Sequence, residues 1–125
     1  MIDGIGVDIV EIERIKNIYK KFGEKFLQKI LTKNEILYCK SKKNFLESIA
    51  IRFAAKEAFF KAFQNENKIK FGWREIEIVR NEKIKKMEIK LKKNLNKSFS
   101  KKKVFVSLSH SNTSAVALVI IENLF

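Results

Sequence analysis

Phe45-Leu-Glu-Ser-Ile-Ala-Ile-Arg-Phe-Ala-Ala-Lys-Glu-Ala-Phe-Phe-Lys-Ala-Phe-Gln64 is the longest stretch of the chain with a single periodicity. Its apolar residues Ile51, Ala54, Ala55, Ala58, Phe59, Ala62 and Phe63 recur at the i, i+3, i+4, i+7 spacing of one helix face. The pattern predicts a helix over 45–64. Asn44-Phe-Leu-Glu47 has the form of a capping box at its start. Phe53 and Phe60 lie outside the stripe; at about 100° per residue they fall on the far side. A helix apolar on two faces is buried on two faces, and in a chain of 125 residues another subunit is expected to supply the second cover.

Working back toward residue 1, Ile5, Val7 and Ile9 alternate, with Asp8 on the opposite face, so a strand is predicted near 2–9. The period then becomes helical through Ile12, Ile15, Ile18, Tyr19 and Phe22, with Gly23 as a stop signal. Phe26, Leu27, Ile30 and Leu31 suggest a second short helix, and Thr32-Lys-Asn-Glu35 is a second capping box. Working forward, Glu75–Val79 and Met87, Ile89, Leu91 alternate around a turn at 80–83, while 92–99 fits neither period. Val104, Val106 and Leu108 alternate, 112–114 reads as a turn, and Ala115–Ile121 is a last strand, giving a C-terminal hairpin. Helices first and antiparallel strands after make the fold class α+β. No repeat or linker divides the chain, so residues 1–125 are read as one domain.

Lys and Arg number 27 against 14 Asp and Glu, a net charge of +13. The partners are expected to be anionic: nucleic acid, an acidic protein, a phosphorylated small molecule or anionic lipid. A hydrophobic fraction of 46% with 11 Phe is too apolar for a disordered polycation. With Pro 0 and Gly 4, Pro-rich and Gly-linker classes are excluded. No apolar run reaches the roughly 18 residues of a spanning helix. Cys39 has no cysteine partner within the chain, and Met1-Ile-Asp-Gly-Ile5 has no basic segment of a secretory signal. The expectation is a cytoplasmic protein without membrane insertion.

Three features could carry chemistry. Asp8 is a carboxylate in an apolar strand; read alone, it also fits an outward-facing residue or a helix cap. Glu57 and Lys61 stand one turn apart, the spacing of a surface ion pair worth about 0.2–0.5 kcal/mol. They border the Ala stripe and Phe53, however, where partial burial would give the pair chemical use. Ser109-His110-Ser111 holds the only histidine, ahead of a turn. No nucleophile elbow or zinc-binding Cys/His cluster is present. Asp8 and Glu57 would suit Mg²⁺, which keeps waters and completes its shell with phosphates, if the fold brought them together.

Gly4-Ile-Gly-Val-Asp-Ile-Val-Glu-Ile-Glu-Arg-Ile15, Arg52-Phe-Ala-Ala-Lys-Glu-Ala-Phe-Phe-Lys-Ala62, and Ser107-Leu-Ser-His-Ser111 with Ala115-Val-Ala117 resemble, in order and over the whole chain, the holo-acyl-carrier-protein synthase family. This is the short, single-domain group of 4′-phosphopantetheinyl transferases. The resemblance implies transfer of the phosphopantetheine arm of coenzyme A to a serine of apo acyl carrier protein, with release of adenosine 3′,5′-bisphosphate. It also implies a homotrimer with active sites between subunits, and a place in fatty acid biosynthesis. By the same resemblance, Asp8 and Glu57 look like Mg²⁺ ligands, with Glu57 also accepting the serine proton, and Lys61 looks like the lysine at the pyrophosphate. Arg52, Ser109, His110 and Lys43 match coenzyme contacts. Arg14, Lys20 and Lys21 match the face that docks the acidic carrier protein.

The sequence departs from the family pattern at Leu31-Thr-Lys-Asn-Glu35, which lacks the usual proline while keeping the cap pair, and at Gln64-Asn-Glu-Asn67, which replaces a Gly-containing turn. The competing reading is a nucleic-acid-binding module, which the charge would suit. Against it, there is no RNP-type aromatic signature, zinc-finger spacing or helix-turn-helix glycine pattern.

Overall fold

The computed structural model describes residues 1–63 and 70–124. In chain order the elements are β1 (Ile2–Glu11), α1 (Ile12–Phe22), α2 (Glu24–Ile30), α3 (Lys33–Lys40), α4 (Phe45–Ala62), a 3₁₀ turn (Trp73–Glu75), β2 (Ile76–Asn81), β3 (Lys86–Leu91), α5 (Lys93–Ser98), β4 (Lys102–His110) and β5 (Ser114–Asn123). The fold is α+β. An antiparallel sheet of order β1–β5–β4 carries α4 across one face, and β2 and β3 form a separate hairpin. β1 runs beyond the predicted strand because its ladder with β5 continues to Glu11 opposite Ser114. The unassigned stretch 92–99 contains α5.

Local chemistry accounts for most helix ends. Gly23 ends α1 with φ 59, a left-handed conformation open to glycine, and its N–H reaches the Tyr19 carbonyl at 2.7 Å. Thr32 and Glu35 close their capping box at the start of α3. The box predicted at Asn44 does not form: Asn44 makes no side-chain cap, and Glu47 is engaged elsewhere.

The core lies between α4 and the sheet. Ala54, Ala55, Ala58, Phe59 and Ala62 meet Ala115, Ala117, Val119 and Ile121, all buried. Small residues let the helix sit low on the strands. Burial of a side chain such as Phe59 contributes about 1.5–3 kcal/mol.

Two expectations about faces are corrected. The far side of α4 is covered by the chain itself. Phe53 stacks on Trp73 with centroids 5.3 Å apart, and Phe60 meets the same indole edge-on at 4.9 Å. The apolar face left uncovered belongs to the sheet, where Ile5, Val7 and Ile9 of β1 are exposed with Phe105 and Leu118. The residues of β1 turned to the helix are Gly4, Gly6 and Asp8. A Cβ on Gly4 would run into the Ala62 carbonyl, and one on Gly6 into that of Ala58. Glycine is required there by the closeness of the two backbones.

Candidate active site

The β1–α4 contact gathers three of the residues singled out above. Asp8 leaves the strand on its helix side, with its side chain 15% exposed. Lys61, from the last turn of α4, reaches back over the strand and places Nζ 3.0 Å from Asp8 Oδ1 and 3.1 Å from the Val7 carbonyl. The lysine therefore pairs across to the strand; the one-turn Glu57–Lys61 ion pair is not the one formed. Glu57 stands one turn earlier, half-buried. Burial pushes its carboxyl above the ordinary glutamate range, and the neighbouring Asp8 charge adds to the rise, while Lys61 and Arg14 oppose it.

Two neighbouring carboxylates, bordered by cations, suit a hard divalent ion. Among the described residues no third His, Cys, Asp or Glu joins them. The donor set fits an ion such as Mg²⁺, which fills its remaining positions with water or phosphate oxygens, and does not fit an all-protein cage. Asp8 and Glu57 are the residues that would hold it.

The other singled-out residues lie apart from this cluster. His110, the last residue of β4, places Nε2 3.1 Å from Glu47 Oε1 in the first turn of α4. Ser109 precedes it, and Lys43 is exposed in the turn before the helix. Glu47 and Glu57 are ten residues apart, about 15 Å along a helix, so this group and the carboxylates sit toward opposite ends of α4. Arg52 is buried. Its guanidinium lies 4.5 Å from the Tyr38 ring, donates to the Ser48 carbonyl, and leaves Nε without a partner. It faces α3 and β2 and does not join Asp8, Glu57 and Lys61. Gln64-Asn-Glu-Asn67 lies outside the described residues.

Along α1, Arg14, Ile18, Lys21 and Phe22 share one face by their spacing. Arg14 lies 5.9 Å from the Phe53 ring centroid. Lys20 is turned about 100° from Lys21 around the helix. Beside this face is a groove of about 390 Å³, lined by Ile18, Phe22, Phe26, Phe53 and Trp73 and edged by Lys25 and Lys29. Sequence reasoning missed these two lysines because the groove exists only once Trp73 packs under α1 and α2.

It also missed the buried network around Lys56. Nζ donates to Glu35 Oε1 at 2.5 Å, to the Ile30 carbonyl at 2.7 Å and to the Trp73 carbonyl at 3.1 Å. Glu35 also accepts from the Ile78 N–H. Glu77 accepts from the Thr32 hydroxyl and from Lys92. Burial works to raise the Glu77 carboxyl, but Thr32 and Lys92 together hold it below its ordinary value.

Relationships found by sequence and by shape place the chain among known proteins. The chain is 44% identical to a holo-[acyl-carrier-protein] synthase of Chloroherpeton thalassium over 94% of its length and 96% of the relative's. It is 46% identical to one of Thermodesulfovibrio yellowstonii, over 97% and 99%. Among solved structures, the holo-[acyl-carrier-protein] synthase of Neisseria meningitidis superposes with a TM-score of 0.85 at 33% identity, over 98% of this chain and all of the other. The Helicobacter pylori enzyme, solved in complex with coenzyme A, gives 0.78 at 34%, over 94% and 99%. Residues 4–119 match the family model described as the 4′-phosphopantetheinyl transferase superfamily. That match spans Asp8, all of α4 and His110, and the chain belongs to the 4′-phosphopantetheinyl transferase superfamily.

Proposed function

We infer that this chain is a holo-[acyl-carrier-protein] synthase, with residues 1–125 acting as one transferase domain. It transfers the 4′-phosphopantetheine arm of coenzyme A to a serine of apo acyl carrier protein and releases adenosine 3′,5′-bisphosphate, in support of fatty acid biosynthesis in the cytoplasm. The observation that carries the reading is the meeting of Asp8, Glu57 and Lys61 at the β1–α4 contact in a chain with these relatives.

Asp8 and Glu57 hold Mg²⁺, which when bound would offset charge on the pyrophosphate during phosphoryl transfer. Glu57, directly or through water, takes the proton of the attacking serine; a carboxylate with a raised pKa is the better base. Lys61, fixed by Asp8 and the Val7 carbonyl, presents its remaining donor to the leaving phosphate. His110, Ser109, Lys43 and Arg52 contact the coenzyme. Arg14 and Lys21, with the apolar groove and Lys25 beside them, receive the acidic carrier protein, with Lys20 at the margin.

The exposed apolar sheet face supports a homotrimer, because a contiguous patch of this kind marks an interaction surface. Assembly would also let the coenzyme-contacting group of one protomer stand beside its neighbour's carboxylates. The test is mass spectrometry of apo acyl carrier protein incubated with coenzyme A and the enzyme, with and without Mg²⁺. Gain of one phosphopantetheine arm only in the presence of Mg²⁺ is expected. No gain under either condition overturns the reading.

A further inference from the structure

We propose that Glu47 is a positioning residue for His110, holding the imidazole by Nε2 so that Nδ1 is turned toward an anionic group of coenzyme A. The proposal rests on the holo-synthase reading above. It begins from the cap that α4 does not make. Thr32 and Glu35 show that this chain closes a capping box where the pattern allows. At Asn44 the same pattern is present and no side-chain cap forms. Instead Glu47 Oε1 lies 3.1 Å from Nε2 of a residue 63 positions later in the chain. The carboxylate is the inner partner, 22% exposed, and the imidazole the outer, 45% exposed.

The neighbourhood gives this pair a direction. Two exposed lysines, Lys42 and Lys43, stand in the turn just ahead of the first turn of α4, with ammonium groups suited to a phosphate. A free carboxylate among them would repel the same phosphate. Placed behind the ring, Glu47 instead occupies Nε2, and Nδ1 is the one ring nitrogen left for a ligand. With both nitrogens protonated, Nδ1 donates to a phosphate oxygen. Outer carboxylates orient metal-bound histidines in the same way.

His110 is the chain's only histidine, so ¹⁵N NMR of its ring needs no assignment. The wild-type ring is expected to be held with Nε2 protonated. Glu47→Ala should lose that preference, and Glu47→Gln, whose amide oxygen still accepts, should keep it. In steady-state transfer, Glu47→Ala should raise KM for coenzyme A about tenfold with kcat little changed, and Glu47→Gln should restore KM to within about twofold. In a His110→Ala background the Glu47→Ala change should add nothing. An equal KM penalty in both backgrounds overturns the proposal and makes Glu47 an ordinary first-turn residue of α4. So does a wild-type ring without the Nε2 preference. Absence of transfer by the wild type would refute the holo-synthase reading itself, before any variant is compared, and the proposal would fall with it.

Discussion

Lys56 and Lys61 lie about one and a half turns apart on α4, and each meets a carboxylate. Lys56 is fully buried, and its ammonium is spent on Glu35 and two backbone carbonyls, which ties α2, α3 and the Trp73 turn to the helix. Burial depresses its pKa, with Glu35 pulling the other way. Lys61 has a side chain that is 54% exposed and shares Asp8 with solvent. Identical side-chain chemistry is thus closed in one place and open in the other. The difference lies in what surrounds each nitrogen: three elements besides its own helix around Lys56, one strand and solvent around Lys61. A closed pair fixes a shape, and an open pair retains donors and acceptors for a ligand.

The contrast breaks first at the open end. Glu57→Gln is expected to keep the circular dichroism of the wild type and to melt no lower, while lowering kcat for carrier-protein modification by about 10²–10⁴, the usual contribution of a general base. Near-normal turnover would remove Glu57 from its assigned role. At the closed end, Lys56→Met leaves the Glu35 charge buried without its cation. The expected loss is about 3–5 kcal/mol in urea unfolding; Lys61→Ala should cost less than about 1 kcal/mol. Equal losses at the two positions would abolish the distinction.

A smaller effect sharpens the open side. Reversal of charge in Arg14→Glu should raise KM for the carrier protein about tenfold and leave KM for coenzyme A unchanged. A change confined to coenzyme A would contradict the docking assignment. The smallest effect is a slope. Because the folded-state pKa of Glu57 is raised, the folded protein holds this proton more tightly than the unfolded chain. Its contribution to stability is therefore present below the unfolded value near 4.5 and lost as pH rises through the folded one. Without metal, the wild type should lose stability relative to Glu57→Gln over that interval, as followed by urea titrations at successive pH values. A flat difference would mean that Glu57 is not perturbed.

Elements were legible where one local rule decided them. The periods of β1, α1 and α4, the Gly23 stop and the Thr32–Glu35 box could all be read from neighbours in the chain. So could the candidacy of Asp8, Glu57 and Lys61, through motifs whose spacing is local. Pairings that cross the chain could not. The buried partners of Lys56 lie 17 to 26 residues away, and nothing local separates it from the exposed lysines. Glu47 matched a cap by spacing, yet its partner arrives from β4. The inward face of β1 was obscured for a different reason: alternation picks out Ile5, Val7 and Ile9, whereas the helix packs on the side with the least hydrocarbon.

That side of the strand acts as a spacer made of missing atoms. Gly4 and Gly6 bear no functional group and touch no substrate in the scheme above, yet the separation of strand and helix backbones, and with it the span between the Asp8 and Glu57 oxygens, is set by the methyls they lack. A single added carbon would be felt as a change in bite between two acids several residues away. Constraint on the chemistry can therefore reside in positions that have no chemistry of their own.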